Sequence, residues 1–256
     1  MTIKSFIKLK NLYRLIKSLK IYFKNIAYDS KKDILYNESM FSQKKLDVLE
    51  IKKVLKKNQL DYYDPDLSWH YHIFSALKKN KILNILEIGT FDGKFTNFLA
   101  KNYINSNIYS CDLPSSDERF ISSYNRSNTY IYERMIKNRS VNLDHKNIKF
   151  YEINSKNLLN YFPKNKFDLI WIDGDHKDPQ VSLDIYNSLK LLKKNGIMCC
   201  DDIVKEKFEN KYVSNESYLT LKKLESSNKI SNIYFLKRAR YTNLDFKKYI
   251  SFSIKL

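Results

Sequence analysis

Two short segments carry residues that could do chemistry together. Asp173-Gly174-Asp175-His176 follows the largely apolar run Phe167-Asp168-Leu169-Ile170-Trp171-Ile172, and Asp201-Asp202 follows Ile197-Met198-Cys199-Cys200. One helical stretch with apolar positions Val181, Leu183, Ile185, Tyr186, Leu189, Leu191 and Leu192 joins the two runs. If the runs are parallel neighbouring strands, their ends share one sheet edge. Carboxylates meeting there repel one another unless a cation neutralises them. Oxygen ligands of this kind suit Mg²⁺ or another hard divalent ion. The bland alternative is that Asp201 or Asp202 caps the next helix. His176, three residues after Asp173, has an ordinary pKa near 6.5 and so can take a proton at neutral pH.

A third segment sets the ligand. Ile82 to Ile88 reads as a buried strand, Gly89-Thr90-Phe91-Asp92-Gly93 as a turn, and Phe95, Phe98 and Leu99 as one face of a helix. Such a turn lies at the carboxyl edge of its strand, where α/β sheets bind ligands, and its glycines let backbone approach a ligand. The chain has only four glycines, and Gly174 and Gly196 also lie where strands meet turns. Gly-x-Gly-x-x-Gly does not fit, because three residues separate Gly89 from Gly93. The phosphate loop also fails, because its glycines are one residue further apart and Lys94 is followed by Phe95. Asp112 ends the next strand, Asn107 to Cys111, about twenty residues after the turn, where a carboxylate holds ribose hydroxyls.

The elements that position these groups follow in order. Further strands are expected at Ile148 to Ile153, Ile233 to Leu236 and Tyr249 to Ile254, with helices near 156–162 and 216–226. Alternation of strands and helices predicts an α/β fold, a mostly parallel sheet with helices on both faces. Residues 113–146, rich in Ser, Asn, Tyr and Arg, are too long for a plain connection and read as a helix with loops, a lid or an acceptor wall. Ser68 is a candidate cap for a helix running to Lys79, and Trp69, His70 and His72 read as core in preference to pocket lining. Residues 1–26 form a basic amphipathic pattern without an acidic residue, suited to an anionic membrane surface, a partner subunit or the chain's own domain. The expected division is a basic helical extension over 1–60 and a catalytic domain over 61–256.

Composition narrows the classes. Hydrophobic residues make up 43% of 256 and aromatic residues 14%, which argues for a globular chain over a disordered one. Lys and Arg number 46 against 28 Asp and Glu, a net charge of +18 that points at face value to an anionic partner. Lys and Asn are abundant throughout, however, which is the expectation for an AT-rich coding sequence. The three cysteines have neither disulfide nor zinc spacing and read as buried thiols of a cytoplasmic protein. No apolar run reaches the roughly 20 residues that span a membrane.

Taken together, Glu87-Ile88-Gly89-Thr90-Phe91-Asp92-Gly93, Cys111-Asp112, Phe167 to His176, and Lys193-Lys194-Asn195-Gly196-Ile197 through Asp202 resemble class I S-adenosylmethionine-dependent methyltransferases. The likeness is to metal-dependent O-methyltransferases of the catechol, caffeoyl-coenzyme A and macrocin types and bacterial relatives with an Ile-Asp-Gly-Asp-His motif. It implies a Rossmann-like seven-stranded sheet. It further implies that Glu87, Gly89 and Gly93, with Thr90 between them, hold the methionine part of S-adenosylmethionine beside Asp173, that Asp112 holds the ribose, and that Asn154 and Ser155 lie near the adenine. Asp173, Asp201 and Asp202 match the metal ligands, although catechol-type enzymes have Asn where Asp202 stands. His176 falls at the catechol-type base position, and Asp175 is the rival base in the macrocin-like pattern. The implied partner is a small-molecule hydroxyl acceptor, a sugar or secondary metabolite, with Mg²⁺ as auxiliary ion and a homodimer as one assembly. An RNA methyltransferase and a non-catalytic cofactor-binding module are the alternatives; the aspartate cluster, which would repel phosphate, argues against RNA.

Overall fold

In the computed structural model, residues 26–77, 81–207, 214–241 and 246–256 are described, together with single positions between 12 and 24. Seven strands form one sheet in the order β3-β2-β1-β4-β5-β7-β6. They are β1 (Asn84–Ile88), β2 (Asn107–Asp112), β3 (Ile148–Glu152), β4 (Phe167–Ile172), β5 (Leu192–Val204), β6 (Ile230–Leu236) and β7 (Lys248–Lys255). The first five run parallel, and β7 is antiparallel to both β5 and β6.

Period-two alternation divides the side chains of the central strands between two helical layers. Ile85, Leu169, Trp171 and Cys199 face a core built with α1 (Lys31–Gln43), α2 (Val48–Lys57), α3 (His70–Ala76) and α4 (Lys94–Asn102). Leu86, Ile88, Ile170, Ile172, Met198 and Cys200 face α7 (Leu158–Tyr161), α8 (Gln180–Leu191) and α9 (Glu216–Ser226). Between β2 and β3, α5 (Glu118–Ser122) and α6 (Thr129–Asn142) occupy the long polar segment. Burial on both faces accounts for the near-continuous apolar runs of β1, β4 and β5.

The structure corrects some expectations and bears out others. The boundary at residue 60 does not divide the core: Ile34, Phe41, Ile51, Val54 and Leu55 pack in the same cluster as Trp69 and Phe235. Asn37 on α1 fastens that helix to β6, donating to the Leu236 carbonyl and accepting from its amide. Ser68 does not cap α3; its hydroxyl meets His70 Nδ1 at 2.9 Å instead. Trp69 and His72 are core and stack on one another. Asp201 and Asp202 lie inside β5, which continues past the end of β4 along β7, and neither caps a helix. Most of the N-terminal amphipathic pattern lies outside the described residues; where described, Leu15, Leu19 and Phe23 are exposed. Among the described residues no helix is long and apolar enough to cross a membrane.

Candidate active site

The carboxyl ends of β1, β2, β4 and β5 form the candidate site. Gly89 (φ 98°) and Gly93 (φ 76°) adopt backbone conformations open to glycine. Their lack of a side chain serves the protein's own packing: a Cβ on Gly89 would lie 2.2 Å from the Asp173 carbonyl oxygen, and one on Gly93 would meet Asn142 on α6 at 3.1 Å. The turn is thus packed closely against the residue that follows β4 and against α6. Asn142 donates to the Asp92 carbonyl at 2.9 Å, adding a second tie between α6 and the turn.

Glu87 lies beneath the turn, and Thr90 within the turn is buried. Glu87 Oε2 accepts from Thr96 Oγ1 and Ser110 Oγ, both at 2.5 Å, and Thr90 Oγ1 meets Ser110 Oγ at 2.6 Å. Burial pushes the Glu87 carboxyl up to about 7, against the pull of those two hydroxyls. Its side chain, 1% exposed, braces the loop from inside. Asp112 reaches the loop from β2: Oδ2 accepts from the Phe91 amide at 2.9 Å and from Arg139 Nη2 at 2.9 Å, while Oδ1 accepts from the Leu113 amide. Arg139 also donates to the Phe91 carbonyl. The exposed rings of Phe91 and Tyr124 lie 5.0 Å apart, with the Arg126 guanidinium close to both. Asn154 and Ser155 stand at the tip of β3, where Asn154 caps the following turn through the Lys156 amide and Ser155 accepts from Gln180.

The aspartate cluster assembles as expected but already contains its own cations. Lys237 Nζ lies 2.5 Å from both Asp201 Oδ2 and Asp202 Oδ1, and Lys248 Nζ lies 2.6 Å from Asp202 Oδ2. One extra residue in β5 relative to β7 between Cys200 and Ile203, with Asp202 at φ 53°, re-aims the strand. Consecutive aspartates, which in a regular strand point to opposite faces, therefore reach the same ammonium. His176 Nε2 stands 3.7 Å from Asp173 Oδ1 and 3.6 Å from Asp202 Oδ2. Asp175 is exposed and accepts from the Lys177 amide, outside this cluster.

Charge states follow from these contacts. Burial opposes ionisation of Asp202, but Lys237, His176 and Lys248 hold its carboxyl below the usual range. The carboxylates outweigh burial at Lys237 and raise its ammonium pKa. Desolvation and then the Asp201 charge push Asp173 well above the usual carboxylate range. Burial holds the His176 imidazole below its ordinary value despite Asp202 and Asp201. Asp201 Oδ1 is buried with no hydrogen-bond donor among the described residues.

These contacts test the two implied ligands. The donor set suits S-adenosylmethionine: a carboxylate for ribose hydroxyls beside a strand-end turn and exposed aromatic rings. It does not suit a divalent ion, because both Asp202 oxygens and one Asp201 oxygen are engaged by ammonium groups. Among the described residues no group of three or more His, Cys, Asp or Glu is arranged to hold a metal ion. Of the three expected metal ligands, Asp201 and Asp202 hold ammonium groups in this structure. Lys237 and Arg139, the most consequential contacts, were invisible in the sequence: one is a lysine in a lysine-rich chain, the other lies in a segment without a motif.

No curated protein matches the chain. Among solved structures it is similar to an O-methyltransferase from Bacillus cereus in complex with SAH (16% identity, 89% of this chain and 100% of that one, TM-score 0.48). It is also similar to a SAM-dependent methyltransferase from Aquifex aeolicus (17% identity, 82% and 99%, TM-score 0.48). Residues 86–203 match the family model described as a methyltransferase domain, so the chain resembles class I S-adenosylmethionine-dependent methyltransferases over the segment that carries the glycine turn and both aspartate-bearing strands.

Proposed function

We propose that the protein is an S-adenosylmethionine-dependent O-methyltransferase acting on a hydroxyl of a small molecule, such as a sugar or secondary metabolite. The observation that carries this reading is the convergence of the Gly89 turn, Asp112 and the Asp173–His176–Asp202 group at one sheet edge. When bound, the cofactor supplies an electrophilic methyl group on its sulfonium.

The chain's own residues do the rest. Asp112 accepts hydrogen bonds from the ribose hydroxyls, with Arg139 fixing the carboxylate's orientation. Phe91 and Tyr124 offer aromatic surface beside it. The neutral imidazole of His176 accepts the acceptor's hydroxyl proton at Nε2, and the Asp202 carboxylate, 3.6 Å away, stabilises the imidazolium that forms. Asp175, exposed and outside the cluster, is the weaker candidate base. Holding acceptor and methyl donor at one edge supplies the orientation on which such transfers depend. Assay of S-adenosylhomocysteine formation against a panel of hydroxylated small molecules, with RNA as a comparison, tests the reading. Turnover with a hydroxyl compound supports it; turnover confined to RNA overturns it.

A further inference from the structure

We propose that the Lys237 ammonium is the resident cation of the Asp201–Asp202 cluster, and that this site works without a divalent metal ion. The inference rests on reading this edge as the methyl-transfer site and names what neutralises its carboxylates. Lys237 Nζ touches both aspartates at 2.5 Å, about the distance at which those oxygens would ligate Ca²⁺ and slightly beyond that for Mg²⁺. Ion and ammonium would therefore occupy the same place, and two cations that close repel strongly. Lys248 engages the remaining oxygen of Asp202 at 2.6 Å, so no free edge of that carboxylate is left.

The lysine is also built into position from three sides. Its amide donates to the Lys248 carbonyl on β7, and its carbonyl accepts from the Trp69 amide at the start of α3, both at 2.9 Å. The β5 bulge turns two consecutive aspartates towards it. The side chains are 12% exposed for Lys237, 2% for Asp201 and 10% for Asp202. Removing one member of so enclosed a pair leaves an uncompensated charge, which holds the arrangement in place. An ammonium carries three N–H donors. Two lie on the aspartates, and the third serves the acceptor oxygen as the positive point that a metal supplies in other enzymes. Lys237 keeps its proton throughout; the hydroxyl proton goes to His176.

Titration with Mn²⁺, followed by electron paramagnetic resonance and by thermal unfolding, tests this without any acceptor. The wild type is expected to take up no stoichiometric Mn²⁺ and to melt identically with Mn²⁺ and with chelator. Lys237→Ala, which frees Asp201 Oδ2 and Asp202 Oδ1, is expected to bind Mn²⁺ at least about tenfold more tightly and to regain melting temperature from it. A stoichiometric wild-type site that Asp201→Asn abolishes overturns the proposal, as does a folded Lys237→Ala that gains no Mn²⁺ affinity. If Lys237→Ala fails to fold, the wild-type titration decides alone. Binding of S-adenosylhomocysteine, measured separately, reports on the methyltransferase reading, so the two can fail independently.

Discussion

The backbone of Asp173 passes so close to Gly89 that any β-carbon there would lie 2.2 Å from the Asp173 carbonyl oxygen. The contact joins the glycine turn after β1 to the first residue of the aspartate cluster after β4. Gly89→Ala must displace one strand end from the other and also adopt a φ near 98° that L residues rarely take. The expected cost is at least about 2 kcal/mol in chemical denaturation, with loss of cofactor binding. Gly174→Ala is the contrast, because its new methyl would meet Asp184 and Ile88 at an ordinary 3.5 Å. It is expected to cost less than about 1 kcal/mol.

Glu87 makes stability depend on pH. Its folded pKa, about 7, lies above the unfolded value of 4.5, so the folded protein binds more protons between those values. Its contribution is fully present below about pH 4.5 and is lost as pH rises through 7. The size is of order 3 kcal/mol. Melting wild type and Glu87→Gln at pH 5 and pH 8 checks this: the wild type should lose more stability over that interval than the variant. Equal losses would remove Glu87 as the cause.

Arg139 and Asp112 form a pair whose side chains are 5% and 12% exposed. Asp112→Ala strands the guanidinium and is expected to cost about 3 kcal/mol of stability. Because the same carboxylate is assigned to the ribose, calorimetry should also show S-adenosylhomocysteine affinity falling by more than about tenfold. Arg139→Met should weaken binding less, since it leaves the carboxylate in place.

His176→Ala should lower kcat by about 10²- to 10⁴-fold while leaving S-adenosylhomocysteine affinity unchanged. Asp175→Ala, on an exposed turn, should leave kcat within a few-fold of wild type. Steady-state kinetics on the acceptor identified by the panel separates the two candidate bases.

How far the sequence was legible depends on what each residue is surrounded by. Strands β1, β4 and β5 showed themselves because burial on both faces demands near-continuous apolar runs such as Leu169-Ile170-Trp171-Ile172. Helix α1 did not, because Asp33 and Asn37 are buried polar residues that read as surface. Their role is to satisfy partners distant in sequence: Asn37 bonds Leu236, and Asp33 pairs with Lys247 at 2.7 Å. Asp173, Asp201, Asp202 and His176 were legible as a group because acidic residues at strand ends are scarce. The lysine among them was not, since 46 Lys and Arg carry little positional information. The β5 bulge, which aims the two aspartates together, depends on pairing with β7 about fifty residues later and leaves no local mark.

The most direct test of the account is calorimetric titration of S-adenosylhomocysteine into the wild-type chain in the presence of chelator. The account predicts one binding site per chain, unchanged by added Mg²⁺. An absence of binding, with or without the ion, would contradict it.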